Sequence, residues 1–317
     1  MKQFLNLHDV KDLPALIASA LAHKASPFAH RSLGEQKTLG MIFLNPSMRT
    51  RISTQRAAKN LGMEVIVFNL DKEGWQMELN EGVIMNGDKA EHVKEAAAVM
   101  GQYFDILGIR TFPGLKDRDE DYREHTIQQF VKYAGIPIVS LESATVHPLQ
   151  SLADAMTIKE HMPTDRKPKV VLTWAPHVKA LPQAVPNSFA QWMSHWSEVD
   201  FVITNPKGYD LDQTFTGNAA IEHDQDKALE GADFVYVKNW SSYELYGSII
   251  QSDPSWMITN KKISKTNQAK VMHCLPVRRN VVIADGVLDG PQSVVVQQAG
   301  NRIWAAQAVL AEILQSN

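Results

Sequence analysis

Thr38-Leu39-Gly40-Met41-Ile42-Phe43-Leu44 runs directly into Asn45-Pro46-Ser47-Met48-Arg49-Thr50-Arg51, and the chain then turns apolar again over residues 63–68. The first seven residues form a short apolar run suited to a buried strand. Residues 51–61 carry helical spacing, and 63–68 form a second strand candidate. The same alternation continues along the chain. Strands are predicted at 104–109, 136–141, 169–174, 200–204, 233–237 and 271–274. Helices are predicted at 90–102, 124–134, 150–161, 188–196 and 225–229, with a last one from about 301 to 314. A further amphipathic helix in the first 35 residues carries Leu13, Leu16, Ile17 and Leu21 on one face. Strand–helix alternation of this kind argues for an α/β fold with parallel sheets. A break near 142–150 leaves four strands on either side, so the sequence implies two α/β halves with ligands at the carboxyl ends of the strands.

Composition agrees with this class. The 317 residues are 44% hydrophobic and 21% charged, an ordinary globular balance that excludes a disordered chain. Thirty-two Lys and Arg stand against 35 Asp and Glu, a net charge of −3 without a like-charged block. Bulk electrostatic binding to nucleic acid or a membrane surface is not expected. The single cysteine, Cys274, forbids an intrachain disulfide and any multi-cysteine metal site. No stretch of 18 apolar residues occurs, and Met1 to Lys11 lacks an apolar signal core, so a cytoplasmic location is expected. Neither the dinucleotide fingerprint nor the P-loop is present, nor is a nucleophile elbow or a zinc-protease motif. No cofactor and no metal is implied.

Three short segments carry candidate chemistry. Ser47 is a favourable N-cap, so Met48-Arg49-Thr50-Arg51 opens a helix directly after a strand. Unpaired amides, the positive dipole end and two guanidiniums then form an anion site. In His147-Pro148-Leu149-Gln150, proline suits a first helical turn, and His147 and Gln150 offer hydrogen-bonding groups at the break between halves. In His273-Cys274-Leu275-Pro276 the two reactive side chains would lie on opposite faces of a strand, so His273 is not a base for Cys274. Arg278 and Arg279 follow as a second arginine pair, Arg110 ends a strand, and Arg302 opens the last helix. Lys179 to Ser188, with Pro182 and Pro186, is expected to be a structured loop.

Together these segments, in this order and spacing, resemble the aspartate/ornithine carbamoyltransferases along essentially the whole chain. The resemblance implies two α/β domains bridged by two helices. The first, a carbamoyl phosphate domain, spans 1–146 and is completed by 301–317. The second, 147–290, binds the amine substrate and carries a deep knot, with the last part of the chain threading the loop at 179–188. It also implies a homotrimer with shared active sites. Carried over residue by residue, Ser47, Met48, Arg49, Thr50, Arg110 and Arg302 bind carbamoyl phosphate. His147, Gln150, Cys274 and Leu275 hold its carbamoyl group, and Trp75 enters a neighbouring subunit's site. Arg110, His147 and Thr50 are the catalytic donors.

The last motif does not resemble the aspartate branch, and no Asp-x-x-x-Ser-Met-Gly segment of the ornithine branch occurs. Lys238-Asn239-Trp240 and the proline-bearing loop resemble the N-acylornithine branch instead. Acetyl-type enzymes of that branch carry Glu at the position of Ala90 and Lys at that of Val282. An uncharged, small Ala90 suits a longer acyl group ending in a carboxylate, which is the succinyl pattern. Lys238, Arg278 and His177 are then the expected contacts for its carboxylates, and Glu142 the acceptor for its amide N–H. The expected reaction is carbamoyl transfer from carbamoyl phosphate to N-succinylornithine in arginine biosynthesis. The alternatives are acetylornithine or ornithine as acceptor, or a non-catalytic sensor on the same scaffold.

Overall fold

A computed structural model describes residues 1–316. Two compact units divide the described residues: 1–114, 119–149 and 302–316 form the first, 115–118 and 150–301 the second. The division falls inside two helices, Pro148–His161 and Val295–Ser316, which each supply residues to both units.

The first unit holds a parallel sheet in the order Glu64–Asn69, Thr38–Phe43, Ile106–Arg110, Ile138–Glu142. Leu39 pairs with Ile106 and Val65, so the strand carrying Phe43 is central. Both it and Ile106–Arg110 are buried almost throughout, as expected of strands covered on two faces. Ile42, Leu107, Ile109, Phe130 and Ile138 join Val93 and Ala97 of helix Val93–Tyr103 in one core. Chain order reverses between Thr38–Phe43 and Ile106–Arg110. At that switch point the carboxyl ends diverge and leave room for a ligand. Asn45 to Thr50 and Arg110 both follow from it.

The second unit repeats the logic in the order Lys270–Met272, Phe234–Lys238, Lys169–Trp174, Asp200–Thr204, Ala220–Glu222, again all parallel. Its switch point lies between Trp174 and Lys238, whose strands pair in register. Val171, Val235, Val237, Ile258, Val271 and Val282 pack into its core.

Several expectations are corrected. The last helix starts at Val295, ahead of the expected 301, because Gln298 and Asn301 are buried with their amides bonded to side chains. Residues 179–188 are not all loop: helix Ala184–His195 begins there, with Pro186 in a first turn that needs no proline N–H. The strand expected to reach Cys274 ends at Met272, since the chain turns at Leu275 with φ of 56°. The structure also adds short elements that the sequence reading does not place, among them the edge strand Ala220–Glu222, a small parallel ladder of Met77–Glu78 with Glu91–His92, and single-turn helices such as Gln213–Thr216 and Asn260–Ile263. Among the described residues no helix is long and apolar enough to cross a membrane.

Candidate active site

In the first unit, Ser47 occupies the N-cap of helix Met48–Asn60 in an extended conformation, but its side chain makes no cap bond. The expected capping is corrected: the first-turn amides are left for another acceptor. A cleft of about 290 Å³ opens here, lined by Pro46, Ser47, Met48, Arg51, Asn69 and Lys72. Arg51 is committed elsewhere, donating to Asn69 Oδ1 and lying 4.9 Å from the Phe43 ring centre. Arg49 is different, for its Nε is buried without a hydrogen-bond partner.

Arg110 is buried at the end of its strand. Nε and Nη2 donate to Glu142 Oε2 at 3.0 and 2.6 Å, and Nη1 donates to the Asn45 and Pro46 carbonyls at 3.1 and 3.2 Å. A guanidinium has five N–H groups, so one on Nη2 remains for a ligand. The same bonds hold the loop that leads into Ser47. Glu142 therefore stands in the first unit as the anchor of Arg110, while the other residues expected to contact the acyl substrate through charge, His177, Lys238 and Arg278, belong to the second.

His147 follows a turn held by Glu124, whose carboxylate accepts from Ser143 Oγ at 2.6 Å and from the Thr145 amide at 2.8 Å. Glu124 itself sits at φ of 52°, and no sequence motif singles it out. His147 Nε2 lies 3.3 Å from Arg302 Nη2, and the same Nη2 donates to Thr50 Oγ1 at 2.7 Å. A guanidinium only donates, so Nε2 is the accepting nitrogen and Nδ1 carries the proton. Burial, then the charges of Arg302 and Arg110, hold His147 well below its ordinary pKa. Glu142 Oε2 is 3.8 Å from the ring, yet burial and two cations outweigh it and the imidazole stays neutral. Nδ1–H is buried and has no partner: it is a fixed donor awaiting an acceptor.

Trp75 and Ala90 also belong to the first unit, on opposite arms of the small ladder. Trp75 is exposed and donates through Nε1 to Glu91 Oε2 at 2.8 Å, while the Ala90 amide donates to the Gln76 carbonyl at 3.2 Å. Lys89 pairs with Glu78 at 2.9 Å across the ladder.

In the second unit, His177, Lys238 and Arg278 come together at the switch point. Lys238 is buried, its Nζ donating to the Asn239 carbonyl at 2.9 Å. Arg278 Nε donates to His177 Nε2 at 3.2 Å, and His177 Nδ1 faces the Lys179 carbonyl at 3.0 Å. His177 was expected to be a donor to substrate. Both its nitrogens are instead engaged, so it orients Arg278. Burial and the charges of Lys238, Arg278 and Lys179 lower its pKa against the Lys179 carbonyl, which favours a neutral ring among cations. Arg279, the other half of the expected pair, is tied to Asp285 and Asp289 at 2.9 and 2.7 Å and is not free for an anion. Val282 is buried in the core and not on a polar wall.

The turn at Cys274 is held by His273, whose Nδ1 accepts the Leu275 N–H at 2.8 Å. Leu275 keeps the left-handed backbone noted above, a costly conformation for a leucine and one that gathers at ligand clamps. Gln150 is buried at the start of Pro148–His161, donating to Asp154 Oδ1 at 2.7 Å. Among the described residues no group of three or more His, Cys, Asp or Glu is arranged to hold a metal.

The family described as aspartate/ornithine carbamoyltransferase, carbamoyl-P binding domain, matches residues 2–160, and its Asp/Orn binding domain matches residues 183–313. The chain belongs to the aspartate/ornithine carbamoyltransferase family. It is thus a carbamoyltransferase, with the two-domain parallel α/β fold of that family. It is 50% identical over 317 residues to the N-succinylornithine carbamoyltransferase of Bacteroides thetaiotaomicron, covering 99% of each chain. It is 35% identical over 335 residues to the N-acetylornithine carbamoyltransferase of Xanthomonas axonopodis pv. citri, covering 99% of this chain and 96% of that one. Among solved structures, a glutamate-to-alanine mutant of an N-acetyl-L-ornithine transcarbamylase, complexed with carbamyl phosphate and N-succinyl-L-norvaline, aligns with a TM-score of 0.91 and 34% identity, over 99% of this chain and 100% of that one.

Proposed function

We propose that this carbamoyltransferase moves the carbamoyl group of carbamoyl phosphate to the δ-amine of N2-succinyl-L-ornithine, giving N-succinyl-L-citrulline and phosphate, as a cytoplasmic step of arginine biosynthesis. The carrying observation is the 50% identity along the whole chain to an enzyme of that name, against 35% for an acetyl-type enzyme. The glutamate-to-alanine relative solved with N-succinyl-L-norvaline supports the same reading of Ala90.

In this reading Ser47, Met48, Arg49, Thr50 and Arg302 take the phosphate. Trp75, supplied by a neighbouring subunit, completes that site. His147 Nδ1–H donates to the carbamoyl oxygen, with Arg110 and Thr50 as further donors. Gln150 and the Cys274 and Leu275 carbonyls accept from the carbamoyl NH2. Lys238 and Arg278, oriented by His177, take the substrate carboxylates, Glu142 its amide N–H, and Ala90 leaves room for the succinyl tail. The amine, ordinarily of pKa ~10.4, must first lose a proton, which desolvation assists. As it attacks, negative charge grows on the carbamoyl oxygen, where fixed donors act without reorganising. The departing phosphate takes the amine's proton, so no side-chain base is needed.

A homotrimer belongs to this reading: exposed Met48, Ile52, Trp75 and Ile84 leave apolar surface for another copy of the chain, and light scattering would report three times 35.4 kDa. The knot belongs to this reading as well. Ser241 and Ser242 are bonded to Leu181 and Gln183, which closes a loop beside Ala184. Pulling the chain from its termini would leave a knotted chain short of its full contour length.

The deciding experiment is a ureido-product assay with ornithine, acetylornithine and succinylornithine side by side. Succinylornithine should give the highest kcat/KM. A preference for either other amine overturns the acyl assignment, and no product from any of the three overturns the substrate reading.

A further inference from the structure

Asp154 lies one helical turn beyond Gln150 and is fully buried. A single oxygen, Oδ1, accepts both Gln150 Nε2 at 2.7 Å and Gln298 Nε2 at 2.6 Å. Gln298 Oε1 in turn accepts the His273 backbone N–H at 2.8 Å, and His273 holds Leu275. Tyr236 is buried against the same group, its phenol pushed well above its ordinary pKa by burial and by Asp154 and Cys274. One carboxylate thus connects the Gln150 side chain to the turn carrying Cys274 and Leu275.

The chemistry of the groups sets the direction of every bond. A carboxylate only accepts, so it requires the NH2 end of the Gln150 amide. The other end, Oε1, is then left buried, and no donor reaches it. A buried acceptor held without a donor is suited to a ligand N–H. Resting on the reading that Gln150 contacts the carbamoyl group, we propose that Asp154 is a positioning residue. It locks the Gln150 amide with its oxygen presented to the carbamoyl NH2, and through Gln298 it steadies the turn whose carbonyls meet the same NH2. It thereby makes the site selective for a carbamoyl over an acyl phosphate. Acetyl phosphate has the same shape but carries a methyl where the NH2 would be, and it offers Oε1 nothing.

The experiment is calorimetric titration of the full chain with carbamoyl phosphate, acetyl phosphate and inorganic phosphate. The native protein should prefer carbamoyl over acetyl phosphate. Asp154→Asn keeps the shape but can donate as well as accept, so Gln150 is free to turn over. The preference should fall about ten-fold or more, with phosphate affinity unchanged. Equal losses for all three ligands would mean Asp154 only supports the fold, and an unchanged preference would mean it orients nothing; either overturns the proposal. Gln150→Leu should show the same loss, and adding Asp154→Asn to it should cost nothing more; additive losses also overturn it. If the native protein shows no preference at all, the reading of Gln150 falls first. A crystal structure of native protein with carbamoyl phosphate tests the idea even if Asp154→Asn does not fold. Gln150 Oε1 should lie within hydrogen-bond distance of the carbamoyl nitrogen while Asp154 keeps its contact; Nε2 in that place overturns it.

Discussion

Arg302 Nη2 donates to Thr50 Oγ1 at 2.7 Å, bonding a residue near the end of the chain to the first turn of helix Met48–Asn60. The same nitrogen sets the tautomer of His147. One guanidinium therefore orients two of the three expected catalytic donors. Arg302→Met should weaken carbamoyl phosphate binding by about ten-fold or more, in line with ~1.5–3 kcal/mol for a bond to a charged group. Calorimetry reads this directly, and native-like affinity would remove Arg302 from the site.

Arg49 should behave as a ligand and not as a structural residue, because its buried Nε has no partner. Arg49→Ala is expected to cost one to two decades of carbamoyl phosphate affinity, about 1.5–3 kcal/mol, with little change in Tm. Unchanged binding would remove the Ser47–Thr50 segment from the phosphate site.

The neutral His147 has a consequence for pH. Folded His147 titrates well below 6.5, whereas the unfolded chain takes up its proton near that value. The unfolded state binds more protons below this pH, so the contribution to stability is fully present above it and is lost as pH falls through it. His147→Gln should show a smaller drop in Tm between about pH 7.5 and about pH 5.5 than the native protein. An equal drop would mean the histidine is protonated in the fold. His23 and His177 are lowered in the same direction and remain in both proteins, so the difference isolates His147.

Cys274 is expected to pack and not to attack. The neighbouring imidazole is spent on the Leu275 N–H and is not available as a base. Cys274→Ser should keep substantial turnover, and intact mass spectrometry during turnover should find no carbamoylated protein. A trapped adduct, or activity at background in the variant, would reverse this view.

Ala90→Glu should bring a carboxylate toward the succinyl tail. Like charges in a desolvated site repel by more than ~1.4 kcal/mol, so succinylornithine use should fall ten-fold or more relative to acetylornithine. The ratio of the two kcat/KM values is the measurement. A constant ratio would take Ala90 out of the acyl pocket, and buried Val282 offers no alternative polar wall.

The parts of the site legible in the sequence are those where local chemistry and backbone pattern coincide. Ser47 to Thr50 follow an apolar strand and open a helix, so their place at a strand's carboxyl end needs only the alternation of elements, whereas the switch point there needs the strand order. His147 and Gln150 are marked by the intervening proline in the same way. Long-range choice of partner is not legible. Arg278 and Arg279 are neighbours of identical type, yet only Arg279 meets Asp285 and Asp289, while Arg278 meets His177, about a hundred residues away. Lys238 follows an apolar strand as any surface lysine could, and it is buried because it ends a central strand. Asp154 looks like an ordinary polar helix position, and Gln298 lies ahead of the expected last helix, until burial and mutual bonding distinguish them. Ala220–Glu222 and the Met77–Glu78 ladder are too short for a period of two to register.

The helix Val295–Ser316 also has a temporal meaning. Its residues from Arg302 onward fill the first unit, where Val309, Leu310 and Ile313 are buried and Gln307 bonds Asn60 and Pro27. A ribosome delivers these residues only after the whole of the second unit. Domains usually fold in the order in which they are made, but here the first unit must wait for a piece that follows the second unit in the chain. Until then the nascent first half exposes the apolar seat of that helix, and it is the half with most to gain from a chaperone.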